Sequence, residues 1–237
     1  MIEEIRLIEI ELTSQCNRQC KFCPNSYIDR HSENKILGEE VFKKLIDELA
    51  KYNYSNYISF SRYNEPFMYP FILKKRIAYI RKKLPNVTLV TNTNGDFSIY
   101  NIDMDEITEM DYDGNKKEMC SDNYRVMRLG KINNRGGALK LKQTKRVAPC
   151  YEPQYFVGID FDGSVVPCCN IRHDVENQKI YILGNLHNTE LEEILTGWKA
   201  TQFRVRTHVG GDHLPNPCMF CNKKEGRYTR EKGGIHE

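Results

Sequence analysis

A chain of 237 residues with 40% hydrophobic and 28% charged residues is long enough for one ordinary domain or two small ones, and its composition excludes both a disordered chain and a membrane protein. The formal charge of +3, from 35 Lys plus Arg against 32 Asp plus Glu, is too small an excess to argue for nucleic acid, and no apolar run reaches the roughly 18 residues that a spanning helix needs. Nine cysteines, an odd number, exclude a fully paired disulfide scaffold and are better explained in a reducing cytoplasm as metal ligands. The first residues, MIEEIRLIEIEL, are acidic and alternating, unlike a basic export signal, so the expectation is a soluble cytoplasmic protein without nucleic-acid or membrane partners.

In chain order, residues 5–12 alternate apolar and polar with one slip, the pattern of a half-buried strand. Residues 39–52 place Val41, Phe42, Leu45, Ile46 and Leu49 at helical spacing behind an acidic first turn. A short strand follows at 57–61, a helix at 71–84 closed by Pro85, and a strand at 87–91. Strand and helix alternating in this way predict a parallel sheet with crossover helices, open or curled toward a barrel, whose carboxyl edge carries the site. Further strands are read at 107–113 and 124–129, and a loop at Asn133 to Gly137. A second unit begins near Lys145, giving the division 1–145 and 146–237. It holds a strand at 155–161, an Asp162-Gly163 turn, a strand at 164–168 and helices at 189–196 and 198–208.

The strongest chemical signal is Cys16-x3-Cys20-x2-Cys23, placed directly after the first strand. Structural zinc takes four protein ligands, whereas a cubane iron-sulfur cluster held by three thiolates keeps one iron free for an outside ligand. A zinc site borrowing a fourth ligand such as His31 is the rival reading. With Phe22 as the aromatic before the third cysteine, the trio resembles the radical S-adenosylmethionine (SAM) enzymes. The resemblance implies an α/β fold, a partial (β/α) barrel. It also implies a 4Fe-4S cluster whose unique iron binds SAM, and an electron from a reductant such as flavodoxin or ferredoxin. SAM cleavage then yields a 5'-deoxyadenosyl radical that takes a substrate hydrogen atom.

Tyr63-Asn64-Glu65-Pro66 ends the second strand where that family usually has a Gly-Gly-Glu or Gly-Glu-Pro segment receiving the SAM amino group, with Asn64 where glycine is usual. Thr91-Asn92-Thr93-Asn94-Gly95 resembles the family's T-N-G segment, so Asn92 and Asn94 are candidates for the SAM carboxylate, the ribose or the substrate. Pro149-Cys150, Pro167-Cys168 after the hairpin and Cys218-x2-Cys221 resemble the SPASM and twitch extensions, which bind auxiliary 4Fe-4S clusters. Four such cysteines fit the one-cluster twitch form, a small α+β extension; a four-cysteine zinc site is the alternative. Cys168 is favoured over Cys169 as the ligand, because neighbouring strand residues face opposite ways.

Among twitch enzymes the chain is similar to aminocyclitol dehydrogenases, in Ile8-Glu9-Ile10-Glu11, Cys23-Pro24-Asn25-Ser26, Thr93-Asn94-Gly95-Asp96-Phe97 and Asn134-Arg135-Gly136-Gly137. That similarity implies oxidation of an alcohol to a ketone on a sugar or aminocyclitol, with the auxiliary cluster accepting the substrate electron. Arg135 is the candidate for orienting substrate, and Arg62 and Tyr63 are further pocket candidates. The rivals are an epimerase, with Cys120 or Cys169 as hydrogen donor, a maturase acting on a ribosomal peptide, and a non-enzymatic iron-sulfur carrier or zinc-bound interaction module.

Overall fold

The amino-terminal alternation forms β1 (Leu7–Ile10) at the middle of a nine-stranded sheet. This computed structural model describes residues 1–99, 101–141 and 144–223, so the end of the second expected unit lies outside the described residues. Ile8 and Ile10 are fully buried in the main core under the helices, while Leu7 packs on the other face with Val90 and Phe156. The polar row of β1 does not meet solvent as a half-buried strand would: Glu11 is wholly buried, and the Glu9 side chain is 15% exposed, against a cavity.

Helix α1 (Glu39–Lys51) buries Val41, Phe42, Leu45, Ile46 and Leu49, and its acidic first turn and terminal Lys51 complement its dipole. It leads into β2 (Tyr57–Ser59), which pairs parallel with β1. Helix α2 (Pro70–Lys83) starts on a proline, whose missing amide costs nothing in the first turn, and ends in Arg81, Lys82 and Lys83. Strand β3 (Thr88–Thr93) then pairs parallel with β2.

The expected alternation stops there. Strand β4 (Glu106–Asp111) pairs parallel with β3, and among the described residues no helix separates them. A two-residue strand absent from the sequence reading, β5 (Met119–Cys120), folds back on β6 (Tyr124–Arg128), and β6 pairs parallel with β4.

The chain beyond Lys145, read from sequence as a second unit, continues the same sheet. A short helix, α3 (Glu152–Tyr155), delivers β7 (Phe156–Ile159) parallel to β1, with Glu9 opposite Gly158. The Asp162-Gly163 turn, with Gly163 at φ +80°, returns β8 (Ser164–Val166) antiparallel, and β9 (Gly184–Asn185) closes the order β5-β6-β4-β3-β2-β1-β7-β8-β9. Helices α4 (Leu191–Thr196), α5 (Trp198–Val209) and α6 (Asn216–Met219) follow. Val157, Ile159, Val165, Leu191, Ile194 and Leu195 join the core that also holds β1, α1 and α2. The architecture is thus a mixed α/β sheet, a partial β/α barrel with an α+β extension. Among the described residues no helix is long and apolar enough to cross a membrane.

Candidate active site

The ends of β1, β2 and β3 open onto a cavity of about 270 Å³, lined by Cys16, Cys20 and Cys23 from the loop after β1. That loop is irregular and is held by side chains. Asn25 Nδ2 donates to the Tyr63 carbonyl at 2.7 Å, and the Glu65 amide donates to the Gln15 carbonyl at 2.9 Å. Across the cavity mouth Arg18 grips Asp96 with Nε and Nη2 at 2.6 and 2.5 Å, while Asn94 Nδ2 donates to Asn17 Oδ1 at 2.8 Å. The paired guanidinium holds the Asp96 carboxyl below its usual range, first through the hydrogen bond. Phe22 lines the same cavity and packs on Tyr112 with ring centroids 5.0 Å apart.

Glu65 is 2% exposed and caps the turn that follows β2. Its Oε1 accepts from Phe67 N and Thr93 Oγ1, and its Oε2 from Asn94 N at 2.8 Å. Burial raises its pKa against those three bonds. Asn94 and Asn92 both line the cavity, Asn92 with its Nδ2 donating to Ser61 Oγ at 3.2 Å. Asn64 does not. Its Oδ1 accepts from the Arg62 amide and it lines a separate small space with Leu12 and Phe60, because neighbouring residues of an extended chain point opposite ways and Glu65 takes the cavity side.

Tyr63 and Arg135 line the same cavity, with the Arg135 guanidinium 5.6 Å from the Tyr63 ring centroid. Arg172 lies over the same ring at 4.0 Å, fixed by a two-pronged pair with Asp174. Arg135 has φ +50° and precedes Gly136 and Gly137, also at positive φ; the bend is locked from below by Gln178 Nε2, which donates to the Arg135 and Gly136 carbonyls. The Arg135 Nε is buried without a partner, a donor aimed at no protein atom.

Cys169 lines this first cavity, whereas Cys168 lines a second, smaller one together with Cys150, Cys218 and Cys221. The second cavity also carries amide-to-sulfur bonds: Asn170 N donates to Cys168 Sγ at 3.3 Å and Asn170 Nδ2 to Cys221 Sγ at 3.5 Å. Burial pushes the Cys16 thiol up to about 11 and raises those of Cys150 and Cys218, and a cation bound among them would favour the thiolates. Among the described residues no group of His, Cys, Asp or Glu is gathered tightly enough to hold one metal ion; the thiols line open space in the two cavities. His31 lines neither cavity. Cys120 is exposed on β5, also away from both, because the two-residue strand ends in a turn to solvent.

Polar residues of the cavity wall that were not selected from sequence as site residues are Glu9, Arg18, Asn25, Ser61, Thr93 and Tyr112; Arg62 was noted without a partner. The available signal for Glu9 was a glutamate on the face of β1 opposite the isoleucines, in a strand that the sheet order makes central.

The sequence matches the Radical SAM superfamily over residues 10–109 and an iron-sulfur cluster-binding domain, SPASM, over residues 150–222. It is 26% identical over 237 residues to the S-adenosyl-L-methionine-dependent 2-deoxy-scyllo-inosamine dehydrogenase of Niallia circulans, covering 91% of this chain and 92% of that protein. The fold is that of BtrN in complex with AdoMet and 2-DOIA, with TM-score 0.78, 23% identity and 92% and 93% of the two chains covered. Native anSMEcpe with bound AdoMet shares it more loosely, with TM-score 0.57, 13% identity and 85% and 83% covered. The chain is a radical SAM enzyme with a carboxyl-terminal SPASM-type iron-sulfur domain.

Proposed function

We propose that the protein oxidises a secondary alcohol of an aminocyclitol or related sugar to a ketone, in the cytoplasm, drawing its electron from a flavodoxin- or ferredoxin-type reductant. The observation that carries this reading is the meeting of two thiol sets at one dipeptide, with Cys169 on the wall of the larger cavity and Cys168 in the smaller. An electron leaving a substrate in the first has a short path to a cluster in the second.

Residues 1–145 form the core unit and 146–237 the auxiliary unit. Cys16, Cys20 and Cys23 would hold the SAM-binding 4Fe-4S cluster, and Cys150, Cys168, Cys218 and Cys221 an auxiliary one. Bound there, cluster and SAM supply a carbon radical able to take a hydrogen atom from a C–H bond. The remaining work is the protein's own. Glu65, kept by Thr93 and Asn94 with both oxygens on the cavity side, offers a carboxylate to the SAM ammonium. Asn92, Asn94 and Phe22 complete the SAM wall, and Tyr63 and Arg135 line the remainder of the cavity. Arg135 brings an unpaired donor to orient a substrate oxygen; its guanidinium stays protonated, so it does not act as a base.

Anaerobic protein reconstituted with iron and sulfide, given SAM, dithionite and 2-deoxy-scyllo-inosamine, forms 5'-deoxyadenosine and a product two mass units lighter. No 5'-deoxyadenosine above a Cys16, Cys20, Cys23 triple-Ala control overturns the reading. A second reading, return of a hydrogen atom with inversion, is favoured by one observation, the Cys169 thiol on the cavity wall. It predicts a product of unchanged mass.

A further inference from the structure

Oxidation of an alcohol requires that two hydrogens leave, one from carbon and one from oxygen, and the second leaves as a proton. The Cys169 sulfur on the wall already accepts from Lys223 Nζ at 2.8 Å, and the other wall residues so far assigned offer no acceptor for that proton. Arg135 is a permanent cation, and the Tyr63 hydroxyl is spent on the Cys169 carbonyl at 2.8 Å. Two carboxyls line the cavity, Glu9 and Glu65. Both oxygens of Glu65 are occupied by Phe67, Thr93 and Asn94. Glu9 is different: its one partner among the described residues is Arg62, at a long 3.4 Å.

Arg62 is committed elsewhere. Its Nε donates to Asp160 Oδ1 at 2.7 Å and its Nη2 to the Ile171 carbonyl at 3.0 Å. The guanidinium lies over Gly158, where a Cβ would come within 2.1 Å of Nη1, so the glycine opposite Glu9 on β7 makes its berth. Asp160 is held in turn by the amide and ring Nδ1 of His173, at 2.9 and 2.8 Å. The arrangement fixes a cation beside Glu9 without sealing the carboxyl, and leaves lone pairs facing the cavity.

We propose that Glu9 is the proton acceptor for the substrate hydroxyl in this oxidation. The inference rests on the alcohol-oxidation reading above. After the carbon-bound hydrogen atom is gone, the O–H bond breaks, an O–H bond forms on Glu9, and the carbon radical gives one electron to the auxiliary cluster as the C=O bond is completed. One hydrogen atom, one proton and one electron have then left the alcohol, which is the loss of two mass units.

The groups facing Glu9 set its readiness. Burial first, then negative charge at Cys169, push the carboxyl up to about 8; Arg62 from the turn after β2 and Lys223 oppose this, and Glu152 of α3 adds to it. An acceptor poised near neutrality is what proton transfer favours, and such a group contributes typically 10²- to 10⁴-fold.

The test uses the reconstituted holoenzyme with 2-deoxy-scyllo-inosamine deuterated at its carbinol carbons, and compares wild type, Glu9→Gln and Glu9→Asp. The measured quantity is ketone formed per deuterated 5'-deoxyadenosine, near one in the wild type. Glu9→Gln lowers that ratio by about 100-fold or more, and Glu9→Asp restores part of it. An unchanged ratio in Glu9→Gln overturns the proposal, as does a loss confined to substrate affinity, which would make Glu9 an ammonium anchor. Infrared difference spectra supply a measurement independent of turnover: a protonated carboxyl band present at pH 6, gone by pH 9 and missing in Glu9→Gln. A band that persists at pH 9 means a carboxyl that stays protonated and cannot take the hydroxyl proton, and the proposal falls. A wild type that transfers no deuterium removes the alcohol-oxidation reading instead, while the band still reports on Glu9.

Discussion

Cys168 and Cys169 are consecutive residues whose sulfurs line different cavities, Cys168 beside Cys150, Cys218 and Cys221 and Cys169 beside Glu9 and Tyr63. A bond from the Cys168 thiol, opposed by burial and assisted by Lys223 at 2.8 Å, holds the Cys169 thiol down to about 6. The pair therefore separates by substitution. Cys168→Ala loses about four of about eight irons per reconstituted chain, since two four-iron clusters are expected, whereas Cys169→Ala keeps them all. Iron and sulfide analysis decides, and equal losses from both variants contradict the assignment.

Glu65→Gln replaces a carboxylate that accepts three hydrogen bonds with an amide that accepts through one oxygen and turns an NH2 toward the Asn94 amide or Thr93. The cost is about 1–3 kcal/mol of stability, and SAM affinity falls by about tenfold or more, since each lost 1.4 kcal/mol is a factor of ten. Denaturant melts of the protein and SAM titration of the reconstituted enzyme measure the two effects separately.

At Gly158 the smallest possible enlargement is the informative one. The methyl of Gly158→Ala meets the Arg62 guanidinium and Val166, so Arg62 must leave its place between Glu9 and Asp160. Overpacking of this kind costs about 1–3 kcal/mol. Gly158→Ala is expected to destabilise by that amount, while an alanine at Gly137, where no atom lies within 4 Å, strains only its own backbone at φ +84°.

Glu9 and Asp160 give opposite pH dependences. The folded-state pKa of Glu9 is raised to about 8 from 4.5, so its contribution is fully present below about 4.5 and is lost as pH rises through 8. Glu9→Gln is therefore stabilised relative to wild type above pH 8 and loses that advantage at low pH. Burial pushes Asp160 up, but Arg62 and His173 outweigh it and hold the group at about 2, so its stabilisation is present above 3.8 and disappears as pH falls toward 2. Thermal melts of the wild type, Glu9→Gln and Asp160→Asn between pH 2 and 9 check both signs.

Cys120→Ala tests the exposed thiol on β5. Lying outside both cavities, it is expected to leave iron content and product mass unchanged, and a lost or altered product would bring Cys120 back as a hydrogen donor.

What was legible in the chain was what depends on local pattern. The cores of α1, α2, α5 and of β1 through β4 follow from periodicity and from prolines and glycines at their ends, and the cysteine spacings announce two sulfur sites. What escaped depends on contacts between residues far apart. No local rule places β7 beside β1, although that pairing turns Glu9 from a solvated surface residue into a half-buried one facing a cavity. Likewise, Asn64 and Glu65 read as one polar pair, and only the direction of the chain after β2 sends one into the cavity and the other away. The tiny strands β5 and β9 are too short to show any period at all.

The hydrogen bonds from β7 to β1 make the two sulfur-bearing halves one mechanical piece. A chain severed after residue 145 would leave the strand carrying Glu9 with a bare edge of amides and carbonyls, an invitation to self-association. Transplanting the carboxyl-terminal part onto another barrel would meet the same obstacle. The spacing between the sulfur sites is set by backbone rather than by a linker, so a change along this central seam moves one site against the other.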